Sequence, residues 1–188
     1  MVVIPVLNID GFLQTQRTPT ENYVGLDPDF PDNWPRDGRM RRKNMREVDN
    51  VLETQDDHMQ GIDLNRNSDP IWATSSRSSS NTQSLVHHGS GAASEPETQA
   101  LDVAAQLGPT SQLSMYTDLH SFGQVHFWVR NSNQRLTAQT QQLLGTFSRF
   151  HAAFPEGKWY SYASGGTVSN PVGIGSTDEY FAHTYQVP

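Results

Sequence analysis

The sequence contains no cysteine, and this absence narrows the chemistry that the protein can use. Disulfide bonds, cysteine nucleophiles and thiolate zinc sites are excluded, so a bound metal would need His, Asp or Glu ligands. Long apolar runs are missing as well, and no stretch approaches the roughly 18 consecutive apolar residues that predict a membrane-spanning helix. We therefore expect no transmembrane helix and no membrane partner.

Positive charge is also scarce, because 13 basic residues stand against 20 acidic ones and the formal net charge is -7. An acidic chain is a poor partner for nucleic acid, so we do not expect it to bind nucleic acid without sequence preference. The length of 188 residues is typical of one domain and is enough to bury a sizeable core. We expect one domain over residues 1–188.

Hydrophobic patterning predicts strands that alternate with helices. Strands are predicted at residues 2–7, 113–119, 124–129 and 157–162, and helices at 94–106, 134–153 and 176–185. Loops are predicted at 12–60, 74–94 and 164–175. The alternation favours an α/β fold, a three-layer sandwich in which a mixed, mainly parallel sheet carries helices on both faces.

Both ends of the chain lie at predicted core elements. Met1 to Leu7 is a predicted buried strand without the basic region or the cleavage site of a signal peptide. Pro188 follows closely on the last predicted helix. Natural domains seldom begin and end in this way, so we expect the sequence to be an internal fragment of a longer chain.

A basic cluster between Arg36 and Arg46 holds six of the 13 basic residues. In isolation, such a run indicates a solvated face or a nucleic-acid patch. Its other interpretation is a site for an anion or an oxyanion. The acidic overall charge weakens the nucleic-acid interpretation.

Asn65 and Arg66 form a second candidate site. Arginine presents a planar fork that binds a carboxylate through two hydrogen bonds, and asparagine adds a neutral donor. The alternative is a strand end followed by polar turn residues.

His120 follows a predicted strand, where the loops of α/β folds build binding sites, and neutral imidazole is a common zinc ligand. A structural histidine is the alternative interpretation. No histidine is followed by glutamate three residues later, and His-Glu-x-x-His is absent, so the sequence offers one convincing ligand where a catalytic zinc needs three. The glycine-rich stretch 164–175 lacks the P-loop pattern and is predicted to be a lid or a pocket wall.

Five motifs in this order resemble those of the carboxypeptidase A-like zinc carboxypeptidase family. Two differ from the family pattern at one position, with Ile9 in place of proline and Arg41 in place of tryptophan. The motifs are Asn8–Gly11, Arg39–Asn44, Asp63–Asn67, Ser94–Thr98 and Asp118–Ser121. The resemblance covers nearly the whole chain.

The resemblance implies a zinc-dependent metallocarboxypeptidase that removes the C-terminal residue of peptides or proteins by means of a metal-activated water. By position, His120 would be the third zinc ligand and Arg42 would polarise the scissile carbonyl and stabilise the oxyanion. Asn65 and Arg66 would hold the free carboxylate of the substrate. Thr177 falls near the position of the specificity pocket.

The resemblance also implies what this chain lacks. The family's His-x-x-Glu pair of zinc ligands lies upstream of the Asn8 motif, and its catalytic glutamate lies beyond the last predicted helix. We therefore expect the chain alone to bind no tight zinc and to be inactive. Relatives are commonly secreted or periplasmic, which favours that location, whereas the sequence indicates no oligomeric state and no side-chain preference.

Three alternatives stay open from the sequence. One is a non-catalytic family member that binds peptide C-termini without cutting them. Another is a relative of the same fold that removes acyl groups from amino acids. The third is a nucleic-acid module built on residues 36–46.

Overall fold

A computed structural model describes residues 1–18, 28–29, 38–49, 52–120, 125–129, 134–153, 161–167, 170–171 and 174–187. Its α-helices are α1 (Ile9–Arg17), α2 (Gln55–Met59), α3 (Pro96–Ala105), α4 (Gln134–Ala152) and α5 (Thr177–Tyr180). Its strands are β1 (Val125–Val129), β2 (Ser161–Thr167) and β3 (Asn170–Pro171). Short 3-10 turns lie at Gly38–Met40, Leu64–Arg66 and Thr110–Gln112, and a π-helix at Phe181–Tyr185 continues α5.

The three strands form a mixed sheet in the order β1-β2-β3. β1 and β2 are parallel, with Val125 opposite Ser161 and Val129 opposite Gly165, whereas β2 and β3 are antiparallel. The described part of the chain thus combines helices with parallel and antiparallel strand pairs. The three-layer arrangement stays a prediction of the sequence.

Two predicted strands are wrong. Residues 2–7 and 113–119 lie in the described part of the chain but belong to no strand. Val2 is 58% exposed and Leu119 is 90% exposed. An apolar segment becomes a strand only when a neighbouring strand pairs with its backbone N–H and C=O groups, and none of the described strands does so for these two segments.

Helices occupy part of the long loop that the sequence predicts at 12–60. α1 begins after Asn8, whose side-chain oxygen accepts a hydrogen bond from the Gly11 N–H at 3.0 Å. α2 begins with reciprocal hydrogen bonds between Thr54 and Asp57. These caps satisfy N–H groups that have no partner within a helix, so short polar helices form without a clear apolar period.

The predicted helices at 94–106, 134–153 and 176–185 are confirmed as α3, α4 and α5 with its π-helical continuation. Ser94 does not cap α3, because Glu95 is the cap residue and no side chain caps the helix. The Ser94 hydroxyl instead accepts from the buried Asn67 amide at 2.9 Å and donates to Glu95 at 2.9 Å. The predicted strand at 157–162 lies outside the described residues up to 160, and β2 begins at Ser161.

An apolar core joins α3 to the α5 region. Leu101 and Ala105, one turn apart on α3, pack in one cluster with Phe181 and Val187. The ring of Tyr116 stacks on Phe181, with centroids 4.0 Å apart and planes 4° apart. This core fixes the helix whose first residue is the candidate site residue Thr177.

A polar scaffold holds the basic cluster in place. The Arg41 guanidinium donates to five backbone carbonyls, those of Lys43, Asn44, Asp57, His58 and Gln60. The Lys43 ammonium is 2% exposed and donates to the carbonyls of Met59, Thr82 and Ser84. Hydrogen bonds to backbone carbonyls hold Arg41 and Lys43 in place. The backbone of Arg42, which lies between them, is therefore fixed next to the candidate site.

Candidate functional site

The carboxylate of Asp63 lies between two of the predicted site arginines. Arg42 Nε donates a hydrogen bond to Asp63 Oδ2 at 2.9 Å, and Arg42 Nη2 forms an ion pair with the same oxygen at 2.8 Å. Arg66 Nε lies 4.0 Å from the same oxygen. The Asp63 side chain is 3% exposed and the Arg42 side chain 37%, so a buried anion holds one half-exposed cation and one mostly buried one.

Asp63 also shapes the turn that carries the candidate carboxylate-binding residues. Its Oδ1 accepts the Asn65 N–H at 3.1 Å, and its backbone oxygen accepts the Arg66 N–H at 2.9 Å. A side-chain oxygen in this position satisfies a backbone N–H that the short 3-10 turn leaves without a partner. Asp63 therefore places Asn65 and Arg66 side by side.

The Arg66 side chain is held from behind by backbone oxygens. Its Nε donates to Arg77 O at 3.1 Å and its Nη1 to Asn65 O at 2.6 Å. Burial lowers the pKa of the guanidinium and the Asp63 carboxylate opposes that shift, yet an arginine stays protonated at neutral pH. Within the described part of the chain, Arg66 Nη2 donates no hydrogen bond.

Asn65 contacts Thr177 across the site. The Thr177 N–H donates to Asn65 Oδ1 at 3.3 Å. A backbone N–H can meet only the oxygen of the amide, so this contact decides which end of the amide faces α5. Asn65 Nδ2 makes no hydrogen bond to any described residue. It is therefore available as a donor on the side of the amide that faces away from α5.

A glycine allows the segment before α5 to approach the turn at 64–66. Gly175 has φ of +74°, and its carbonyl accepts the Ser68 N–H at 2.8 Å. A Cβ atom at this position would lie 2.7 Å from Arg66 O and 3.1 Å from Ser68 O. Only glycine fits both the left-handed conformation and the close backbone approach.

Asp118 connects Thr177 to His120. Its Oδ2 accepts from Thr177 Oγ1 at 2.9 Å and lies 2.9 Å from His120 Nε2. The hydrogen bond to Asp118 raises the pKa of His120, against opposing effects of burial and of the Arg42 charge. Burial acts to raise the pKa of Asp118, but the hydrogen bonds from His120 and Thr177 lower it overall.

Tyr116 lies next to this group. Burial raises the pKa of its hydroxyl to about 12, and the nearby Asp118 charge adds to the shift. The phenol is therefore neutral near pH 7, and it adds a partly buried aromatic ring rather than a charge.

The described residues do not form a complete zinc site. Across the described residues, no three His, Asp or Glu side chains come together in a way that could hold a metal ion. His120 is 54% exposed and pairs with one carboxylate, that of Asp118, whereas a catalytic zinc needs three protein ligands. The side chains of His126 and His151 lie outside the described residues.

Hydrogen bonds and ion pairs link all five predicted site residues. The connection runs from Arg42 through Asp63 to Arg66 and Asn65, and from Asn65 through Thr177 and Asp118 to His120. Asp63 and Asp118, which make these links, stand in two of the five motifs but have no role among the residues predicted from the sequence. Glu179, which accepts the N–H groups of Ile174, Gly175 and Ser176, stands in none of these motifs. Its sequence signal is its place three residues after Ser176, the spacing of a capping box.

Comparisons with known proteins identify relatives along the chain. Residues 1–188 match the family profile described as zinc carboxypeptidase. The chain is 32% identical over 123 residues to carboxypeptidase O of Bos taurus, covering 65% of this chain and 26% of the relative. It is 28% identical over 178 residues to carboxypeptidase B of Bos taurus, covering 94% of this chain and 36% of the relative.

A solved structure agrees with these relatives. Carboxypeptidase A from Helicoverpa armigera matches with a TM-score of 0.60 and 25% identity, covering 95% of this chain and 38% of that one. The chain thus spans between 26% and 38% of the length of these relatives. Because the profile matches from the first residue to the last, the protein belongs to the zinc carboxypeptidase family, peptidase family M14.

Proposed function

We propose that the protein acts as a zinc-dependent metallocarboxypeptidase and that this chain binds the free C-terminal carboxylate of a peptide substrate. One observation carries the proposal: Asn65 Nδ2 and Arg66 Nη2 belong to neighbouring residues, and neither donates a hydrogen bond within the described part of the chain. The other polar atoms of these two side chains are tied to Thr177, Arg77 and Asn65 itself, so both donors are positioned in advance.

The chemistry of these donors suits a carboxylate. A guanidinium binds a carboxylate through two parallel N–H···O bonds, and a bond to a charged group is roughly twice as strong as a neutral one. The Arg66 side chain is 13% exposed, so little water competes at the cation. A chain end presents a free carboxylate and an internal peptide bond does not, so this pair selects terminal residues.

Arg42 is the proposed catalytic residue of this chain. Asp63 accepts the Arg42 Nε hydrogen bond and pairs with its Nη2, which fixes the direction of the guanidinium plane. The Nη1 group, which donates to no described residue, would be the donor to a substrate oxygen. A positioned donor at a developing oxyanion contributes roughly 3–4 kcal/mol to transition-state stabilisation. Arg42 would accordingly polarise the carbonyl of the last peptide bond.

His120 is the proposed zinc ligand and Thr177 the proposed substrate-site residue. Zinc, when bound, supplies an activated water, and the described residues alone do not complete its ligand set. Thr177 is 3% exposed, with its N–H and hydroxyl given to Asn65 and Asp118. It would therefore act on the substrate through the residues that it holds.

A secreted or periplasmic location stays the prediction of the family resemblance. None of the described helices is long and apolar enough to cross a membrane.

The test compares N-acetyl tripeptides that end in Ala, Phe, Lys or Glu, each prepared with a free and with an amidated C-terminus. We expect this chain to bind the free acids and to release no residue, because its described residues do not complete a zinc site. Release of the last residue is expected of an intact protein that supplies the remaining zinc ligands. Equal affinity for acids and amides would contradict the carboxylate site. Binding without release by the intact protein would select a non-catalytic C-terminus-binding protein, and cleavage of acyl-amino acids but not of peptides would select a deacylase.

A further inference from the structure

Glu179 is a buried acid whose carboxylate organises the backbone beside the candidate site. It is 2% exposed, although it lies on the short helix α5. Its Oε2 accepts three consecutive backbone N–H groups, those of Ile174 at 3.0 Å, Gly175 at 3.0 Å and Ser176 at 3.2 Å. Converging backbone N–H groups form a concave site for an anion, and here the anion is the protein's own side chain.

The segment that Glu179 holds is the one that contacts the carboxylate-binding turn. The Gly175 carbonyl accepts the Ser68 N–H at 2.8 Å, which joins the segment to the end of the turn. The next residue but one, Thr177, donates its N–H to Asn65 Oδ1. The position of Asn65 Nδ2 therefore depends on where the 174–177 backbone lies.

We infer that Glu179 is a positioning residue for recognition of the substrate carboxylate, acting through the 174–177 backbone on Asn65. This inference rests on the proposed function. Glu179 would not touch the substrate. Its carboxylate fixes three N–H groups on one oxygen, and through them it directs the Thr177 N–H at Asn65 so that the amide presents Nδ2 to the site.

The charge on Glu179 is part of the argument. A carboxylate forms shorter and stronger hydrogen bonds to backbone N–H groups than a neutral amide does. Glu179→Gln keeps an acceptor oxygen at nearly the same place but weakens the three bonds. Glu179→Met keeps most of the volume and removes the acceptor. A graded loss, with Met larger than Gln, is the expected signature.

A general structural role would give a different result. If Glu179 served only to stabilise the fold, its replacement would weaken all ligands alike or none of them. A positioning role lowers the preference for free acids over amides, because only the free acids use Asn65 Nδ2. The ratio of the two affinities is therefore the decisive quantity.

The experiment is an NMR titration of the wild-type protein, Glu179→Gln, Glu179→Met and the exposed control Glu53→Gln with the paired tripeptides. We expect the acid-over-amide ratio to fall about tenfold in Glu179→Gln, the equivalent of losing most of one hydrogen bond, and further in Glu179→Met. The amide proton signals of Ile174, Gly175 and Ser176 should move upfield in Glu179→Gln and remain in place in the control.

Two failures are distinguishable. If the wild-type protein shows no preference for free acids, the proposed carboxylate site is wrong, and the inference falls with it. If the wild-type protein prefers free acids and Glu179→Gln keeps that ratio while its three amide signals shift, the inference is overturned and the proposed function stands. Glu179→Gln carries the test if Glu179→Met does not fold.

Discussion

The backbone N–H of Thr177 donates to the side-chain oxygen of Asn65 at 3.3 Å, although 112 positions separate the two residues. The family resemblance assigns one of them to the specificity pocket and the other to the carboxylate site. Their contact makes the two positions one structural unit. A change that moves the segment before α5 is therefore expected to alter carboxylate binding as well.

Arg66→Ala should weaken peptides with a free C-terminus far more than their amidated counterparts. The variant removes the charged donor, and a hydrogen bond to a charged group contributes about 1.5–3 kcal/mol, which corresponds to about 10- to 150-fold in affinity. Calorimetric titration with the paired tripeptides measures both affinities. Arg66→Lys should recover part of the loss, because it keeps the charge without the planar fork.

Arg17→Ala is the matched control for that comparison, because Arg17 is an exposed arginine in the last turn of α1. It should leave both affinities unchanged. If Arg66→Ala lowered the affinity for free and amidated peptides equally, the assignment of Arg66 to the substrate carboxylate would be wrong.

Gly175→Ala should destabilise the protein by roughly 2 kcal/mol, because an L-residue pays for the left-handed conformation and its Cβ meets backbone oxygens. The Cβ would lie 2.7 Å from Arg66 O, and backbone atoms cannot turn aside as a flexible side chain can. Urea denaturation measures the change. Gly91→Ala is the control, since a Cβ there meets nothing within 4 Å, and a similar loss in both variants would contradict the close-approach argument.

The helices and the close spacing of Asn65 and Arg66 could be predicted from local patterns in the sequence more readily than the strands. Asn65 and Arg66 stand together in a short motif, and one aspartate, Asp63, holds both by hydrogen bonds within three residues. Such contacts are local and can be read from spacing. α3 and α4 were also predicted, because their apolar residues recur with the helical period.

The strands depend on partners that spacing does not reveal. Residues 2–7 have the apolar content of a buried strand, yet Met1, Val2 and Val3 are exposed in this chain. Strand formation requires a neighbouring strand, and pairing partners are distant in sequence. The link from Thr177 to Asn65 is missed for the same reason, since a contact between distant segments leaves no local pattern.

Asn67→Ala should cost roughly 2–4 kcal/mol of stability, because several buried polar groups lose their partner at once. The Asn67 side chain is fully buried and donates to the carbonyls of His88 and Gly91, and it accepts the Glu95 N–H. Thermal or urea unfolding measures the loss. Asn81→Ala, at an exposed turn position, should change stability far less, and equal effects would argue against the buried network.

Asp102 should make part of the stability depend on pH. Hydrogen bonds from the Tyr180 and Tyr185 hydroxyls lower the pKa of Asp102, although burial opposes them. A carboxyl with a lowered pKa stabilises the fold above its unfolded value of 3.8, and this contribution disappears as the pH falls through the folded value. The stability gap between wild type and Asp102→Asn should therefore be present near neutral pH and close under acid.

The tyrosines that bind Asp102 should make the stability of the fold depend on pH on the alkaline side as well. Burial and the Asp102 carboxylate raise the pKa of Tyr185, so its contribution is present below the ordinary value of 10.0 and is lost as the pH rises beyond it. The urea concentration at the midpoint of unfolding, measured across the pH range, tests both the acid and the alkaline dependence of stability. Asp56→Asn, at an exposed position of α2, is the control and should run parallel to wild type. A gap in Asp102→Asn that is constant with pH would contradict the assignment.

The 188-residue chain should retain no stoichiometric zinc after dialysis against metal-free buffer. A catalytic zinc needs three protein ligands, and within the described residues His120 has only the Asp118 carboxylate beside it. Metal analysis by mass spectrometry measures the zinc content. One firmly bound zinc per chain that disappears in His120→Ala but persists in His183→Ala would overturn this expectation. That result would mean that the chain supplies the rest of the ligand set from residues outside the described part.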